Sequence, residues 1–96
     1  MNDQELYRQK YQAQLDEWKA DLDKLRARAA GATADAQIEM NKHVRELEKR
    51  MHEAGARLSD LAAASEEAWD AARKNMETTW EALKAGVGAA AAKFRE

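Results

Sequence analysis

Apolar side chains recur every three or four residues through the first third of the chain, and charged or amide side chains fill the positions between them. The members of this first stripe are Tyr7, Tyr11, Leu15, Trp18, Leu22, Leu25 and Ala29. After one early irregularity the steps alternate between three and four residues, which is the spacing of a helix that packs along a narrow seam. The pattern predicts a helical segment over residues 3–30.

A second stripe follows the same spacing without a fault. Its members are Met40, Val44, Leu47, Met51, Ala54, Leu58, Leu61, Ser65, Ala68 and Ala72. The two stripes join through Thr33 and Ala36, where four extra residues interrupt the heptad register. Two stripes of this kind predict coiled-coil packing, with a second helical segment over residues 34–63.

The last third of the chain has a period of eleven residues, because Trp69 and Trp80, Met76 and Val87, and Leu83 and Phe94 are each separated by that number. On a helix these apolar side chains share one face. The stripe comprises Trp69, Ala72, Met76, Trp80, Leu83, Val87, Ala91 and Phe94, and the opposite face carries Ala71, Thr78, Ala82, Ala85, Ala89 and Ala92. A third amphipathic helix is predicted over residues 66–94.

Two short segments are candidate helix breaks. In the first, Gly31 suits the C′ position after a helix and Thr33 suits the N-cap of the next. In the second, Ser65 suits an N-cap, and Glu66 and Glu67 suit the positive end of a new helix. Breaks at both points give three helices, whereas a continuous helix through one or both remains the alternative, because alanine-rich sequence propagates helix well.

The predicted fold class is all-α: an elongated antiparallel coiled coil or three-segment helical bundle that forms a single helical domain over residues 1–96. The absence of proline, and the few glycine and β-branched residues, leave no plausible strand. The chain has no cysteine, no apolar leader segment near its start and no apolar run of the roughly 18 residues that a membrane span needs. These features predict a cytoplasmic location.

The charge balance argues against a polyanionic partner. Sixteen basic side chains face 18 acidic ones, for a net charge of −2, so nucleic acid is not expected. Half of the hydrophobic residues are alanine, and the remaining large apolar side chains lie on narrow stripes. A lone chain has little surplus core under these conditions, which predicts a homo-oligomer.

The sequence offers no array for catalysis. His43 and His52 each follow a glutamate by four residues, Glu39 and Glu48, whereas di-metal helical bundles use a spacing of three. No glycine-rich phosphate loop, paired-histidine zinc motif or nucleophilic serine turn occurs. We therefore expect no catalytic, cofactor or metal site, and the chain is predicted not to be an enzyme.

The predicted function is a structural or protein-interaction coiled coil that assembles with its own copies or with a partner coiled coil. Assembly would use an interaction seam of Leu15, Trp18, Leu22, Leu25, Val44, Leu47, Met51, Leu58, Leu61, Trp69, Met76, Trp80, Leu83, Val87 and Phe94. The alternative is a membrane-surface or lipid-associated protein that acts through the amphipathic helix 66–94, because its apolar face is backed by weakly charged residues.

Two stretches, QAQLDEWKADLDKLRARA (12–29) and SEEAWDAARKNMETTWEALKAGVGAAAAKF (65–94), resemble a family of short, stress-induced bacterial coiled-coil proteins found in cyanobacteria and proteobacteria. The resemblance covers about half of the chain, and it is more specific in the tryptophan-containing repeat. It implies a cytoplasmic coiled coil, raised under stress and without known catalytic residues. Gly31 and Gly55 depart from the uninterrupted helix formers that such a coiled coil would carry.

Overall fold

The computed structural model describes residues 3–94, and it contains three helices: α1 (Asp3–Ala30), α2 (Ala34–Ala63) and α3 (Trp69–Lys93). No strand occurs within this range. The all-α prediction is confirmed, and the molecule is an elongated helical bundle with principal dimensions of 51 × 20 × 18 Å. The first two helices have the predicted bounds, and the chain breaks at both predicted points.

The connection between α1 and α2 is stabilised by a helix N-cap and by short-range backbone hydrogen bonds. The Thr33 side chain accepts a hydrogen bond from the Ala36 N–H at 3.4 Å, which confirms the predicted N-cap of α2. Gly31 follows the last residue of α1 as predicted, but it does not take the left-handed conformation usual for a C′ glycine. Instead, the N–H groups of Gly31 and Ala32 each bond at 3.1 Å to a carbonyl three residues earlier.

In the connection between α2 and α3, the chain forms a turn before α3 begins. The Ala68 N–H donates to the Ser65 hydroxyl at 3.2 Å and to the Ser65 carbonyl at 3.1 Å, so Ser65 closes a turn. The N-cap of α3 is Ala68, without a side-chain cap bond, and the prediction of Ser65 as that N-cap was wrong. Residues 66–68 form a turn rather than an α-helix. The helical bonding pattern begins when the Ala72 N–H reaches the Ala68 carbonyl at 3.0 Å. Helix α3 therefore begins at Trp69, and the predicted start at residue 66 was three residues too early.

The core runs between α2 and its two neighbours, because α2 packs against both α1 and α3. The buried apolar residues are Tyr11, Leu15, Trp18, Leu22, Leu25 and Ala29 in α1, Met40, Val44, Leu47, Met51, Ala54, Leu58 and Leu61 in α2, and Met76, Trp80, Leu83 and Ala90 in α3. The first stripe is buried from Tyr11 to Ala29, and the second is buried from Met40 to Leu61. The outlying members of the two stripes are not buried: Tyr7 and Ala72 are half-buried, and Ser65 and Ala68 are exposed. In α3 the repeat of eleven selected Ala91, which is exposed, whereas Ala90, seven residues after Leu83, is buried.

Substitution by alanine is expected to affect stability differently at three glycines inside helices. A Cβ at Gly55 or Gly88 would meet nothing within 4 Å, whereas one at Gly86 would lie 2.7 Å from Arg50 Nη1 and 3.3 Å from Leu47 Cδ2. We expect Gly55→Ala and Gly88→Ala each to raise the free energy of unfolding by about 0.5–1 kcal/mol, because alanine is the better helix former.

Gly86→Ala should raise the free energy of unfolding by less than either of these variants, because Arg50 and Leu47 must move to admit the methyl group. Urea denaturation followed by circular dichroism measures all three variants. Equal stabilisation at Gly86 and Gly55 would contradict the close approach of α2 to α3 at Gly86.

Candidate functional site

An aromatic cluster joins the first halves of α1 and α3. The ring centroids of Tyr7 and Trp69 are 5.9 Å apart, and the Trp80 ring lies 4.8 Å from Tyr11 and 4.9 Å from Trp18. Trp80 is thus the centre of the cluster. Burial raises the pKa of the Tyr11 phenol, with a further contribution from the nearby Glu77 carboxylate. The ring-to-ring distances show that the cluster acts as a packing contact.

The interaction seam lies inside the chain. Twelve of its residues are buried: Leu15, Trp18, Leu22, Leu25, Val44, Leu47, Met51, Leu58, Leu61, Met76, Trp80 and Leu83. The other three, Trp69, Val87 and Phe94, are half-buried and pack against the same core. Assembly through this seam would require the helices to separate. Docking of α3 on a lipid surface through its apolar face would likewise require α3 to leave α1 and α2.

Beyond the aromatic cluster, an open groove of about 570 Å³ lies between the second halves of α1 and α3. Leu22 and Leu25 of α1 form one wall, and Val87, Ala90 and Ala91 of α3 form the other. Leu47 and Met51 of α2 also line it, and Trp18 and Phe94 lie among its lining residues. The groove exists because α3 carries glycine and alanine from residue 88 to residue 92, where its first half carries tryptophan and methionine.

Charged side chains lie only at the mouth of this groove. Asp21, Lys24 and Arg28 line it from α1, and all three residues are exposed. One guanidinium nitrogen of Arg28 donates to the Phe94 carbonyl oxygen at 2.9 Å, which links the ends of α1 and α3. The other lining residues are apolar. The groove can therefore accept an apolar group whose polar end remains at the mouth.

The sequence did not indicate this groove as a site. Its apolar members were assigned to the interaction seam, and Asp21, Lys24 and Arg28 have the spacing of an ordinary solvated helix face. A shift from tryptophan and methionine to alanine and glycine along α3 is the one signal that could have suggested it.

A small cluster of polar side chains joins α2 to the end of α3. The Lys93 ammonium lies 2.6 Å from a Glu39 carboxylate oxygen and 3.4 Å from His43 Nε2, and that nitrogen is 3.5 Å from the same carboxylate oxygen. The Phe94 ring meets His43 edge-on at 5.3 Å. Glu39, His43 and Lys93 therefore form one polar cluster between α2 and α3.

The carboxylate that precedes the second histidine by four residues is paired with another helix. Glu48, four residues before His52, forms an ion pair with Arg26 of α1. Within residues 3–94, no group of three or more histidine, cysteine or acidic side chains is placed to hold a metal ion.

The Glu39 contacts give a prediction for its titration. Hydrogen bonding from Lys93, with a smaller contribution from His43, lowers the pKa of the Glu39 carboxyl below its ordinary value. A carboxyl with a lowered folded-state pKa contributes stability above its unfolded pKa, and that contribution is lost as the pH falls through the folded value. We expect carboxyl NMR to show a lowered midpoint for Glu39, and Lys93→Ala to raise it. An unchanged midpoint in Lys93→Ala would contradict the ion pair, and Lys84→Ala is the matched control.

The outer face of α3 carries small, uncharged side chains that no other helix covers. This outer face comprises Ala71, Asn75, Thr78, Ala82, Ala85, Ala89 and Ala92, all of which are exposed. Its members are separated alternately by four and three residues, which is the spacing of a helix–helix seam. The face is therefore flat, neutral and continuous along the helix.

No protein-family model, curated protein or solved structure matches the chain. None of the helices within residues 3–94 is long and apolar enough to cross a membrane.

Proposed function

We propose that the protein is a non-enzymatic structural or protein-interaction module: an antiparallel coiled-coil bundle that assembles with copies of itself. The resemblance to short, stress-induced bacterial coiled-coil proteins supports the same class. The observation that carries the proposal is the outer face of α3, whose members have heptad spacing, carry no charge and are all exposed.

Small side chains favour this kind of contact because they let two helix backbones approach closely. Helix axes in contact lie roughly 8–10 Å apart, and the shorter distances require small residues. Bulky charged side chains would have to be desolvated in such a contact, and the outer face has none. Two outer faces could therefore pack together without an unpaired buried charge.

The expected association is weak. Alanine offers little apolar area, and one helix face is smaller than the surface that a standard stable interface buries. The interaction seam contributes nothing to this contact, because its residues already pack within the chain. We therefore expect a dimer that forms at high micromolar concentrations and dissociates on dilution.

Sedimentation equilibrium combined with small-angle scattering tests the proposal. The apparent mass of the wild-type protein should rise above that of a monomer with increasing concentration. The double variant Ala82→Glu/Ala89→Glu should remain monomeric, because it places two carboxylates on the outer face while keeping good helix formers. A matched control, Ala13→Glu/Ala20→Glu, adds the same charge to exposed positions of α1 and should associate like the wild type.

Three results would count against the proposal. A wild-type monomer at all concentrations would refute self-assembly. Equal association of both double variants would exclude the outer face. Scattering from a dimer far longer than two packed bundles would show that the helices have opened into rods joined through the interaction seam. Co-sedimentation of the full chain with vesicles would favour the lipid-associated alternative.

A further inference from the structure

The groove between α1 and α3 has the size and composition of a ligand site rather than of a protein interface. Small-molecule sites are typically concave, about 300–1,000 Å³ in volume and mostly apolar, with a few polar groups that fix orientation. The groove has about 570 Å³ and apolar walls, with its three charged residues at the mouth. It is distinct from the outer face of α3.

The shape favours a single flexible chain over a compact ring system. The lining runs along α1 from Trp18 to Arg28, a distance of about 15 Å at 1.5 Å per residue. Its walls are formed by α1 and α3, which both pack on α2, and its floor by side chains of α2, so the lining follows the direction of the helices. An extended acyl chain covers such a surface along its whole length.

The charges at the mouth favour an anionic head group. Lys24 and Arg28 lie one turn apart on α1, near the end of the groove that Phe94 lines, and Asp21 lies one turn before Lys24, so the mouth carries two cations and one carboxylate. A guanidinium has five N–H donors, so the bond from Arg28 to the Phe94 carbonyl leaves others available to a carboxylate. Arg28 is also held in position by that bond, which lowers the entropy cost of binding.

We propose that this groove binds a single-chain anionic amphiphile, with its acyl chain over the accessible lining residues Val87, Ala91 and Phe94 and its carboxylate beside Lys24 and Arg28. The ligand is a free monomer, since the groove receives one chain and its mouth offers one pair of cations. Binding leaves the three-helix bundle closed.

Isothermal titration with dodecanoate below its micelle concentration tests the site on the full chain. Dodecanoate should bind with a stoichiometry of one per chain. Each methylene removed from the acyl chain should raise the Kd by about two- to fourfold, as expected for burial of apolar surface. Dodecanol and dodecyltrimethylammonium, which share the chain but lack the negative charge, should bind about three- to tenfold more weakly.

Two variants locate the ligand. Ala91→Leu places a larger side chain in the groove at an exposed position and should abolish binding, whereas Ala92→Leu, on the outer face, should not. Lys24→Gln/Arg28→Gln should weaken dodecanoate binding about three- to tenfold without changing dodecanol binding. The charge control is Lys10→Gln/Arg45→Gln, because both residues are exposed and neither lines the groove.

The proposal is overturned by absence of saturable binding below the micelle concentration, or by wild-type affinity in Ala91→Leu. Equal affinity for the three head groups would overturn the role of Lys24 and Arg28. Binding only to vesicles of anionic lipid would identify a membrane surface as the partner instead. Thermal melts of every variant check that the bundle remains folded in each comparison.

Discussion

Replacing Trp80 by alanine is expected to lower the free energy of unfolding by about 3–5 kcal/mol, the usual cost of removing a large buried aromatic side chain. Trp80 is 8% exposed, and its ring contacts both Tyr11 and Trp18 of α1. The variant therefore loses the main aromatic contact between α1 and α3. Domains of this size hold about 5–15 kcal/mol in total, so Trp80→Ala should lose a large share of the stability and melt at a clearly lower temperature than the wild type.

Urea denaturation followed by circular dichroism measures the loss. Trp69→Ala is the matched control, because Trp69 is only half-buried and its ring contacts Tyr7 at 5.9 Å. We expect Trp69→Ala to lower the free energy of unfolding by less than half as much as Trp80→Ala does. A Trp80→Ala variant that stays within 1 kcal/mol of the wild type in buffer but loses binding to vesicles would instead support the lipid-associated alternative.

The sequence predicted the first two helices closely because their apolar periodicity and their caps agree. The first stripe, from Tyr11 to Ala29, is the buried face of α1, and Thr33 caps α2 at the predicted residue. Local physical chemistry is sufficient for such features, since each depends on residues within one or two turns.

The start of α3 and the position of its last buried residue depend on tertiary packing. Ser65 caps the turn, but the chain must complete that turn before it can run alongside α1 and α2. The eleven-residue repeat was identified from similarity between segments of the sequence. The burial of each residue depends instead on which side of α3 packs against the rest of the bundle. In the folded chain Ala90 is buried and Ala91 is exposed.

Periodicity cannot identify the partner of an apolar seam. The same spacing in Leu15, Val44 and Leu83 would suit a second chain or another helix of the same chain, and in the structure all three pack within one chain. The groove was missed for a related reason. It arises where small residues of α3 face leucines of α1, and that juxtaposition exists only after the chain has folded.

The second large effect is expected at Leu83. This residue is fully buried, one turn beyond Trp80 on the face that α3 turns to the core. Leu83→Ala removes three carbon atoms from a packed interior and leaves a cavity, so it should lower the free energy of unfolding by about 2–5 kcal/mol. Urea denaturation measures the change, and the midpoint should fall while the m-value stays the same as in the wild type.

Ile38→Ala provides the comparison, because isoleucine loses a similar apolar volume but Ile38 is 67% exposed on α2. Its substitution should change the free energy of unfolding by no more than about 0.5 kcal/mol, as is usual for surface positions. The stripe in α2 passes through Met40 and Val44 and leaves Ile38 outside it. If Ile38→Ala were as damaging as Leu83→Ala, Ile38 would have to be covered in solution. A second copy of the chain would then be the first candidate for the covering surface, and sedimentation of Ile38→Ala beside the wild type would decide whether it is.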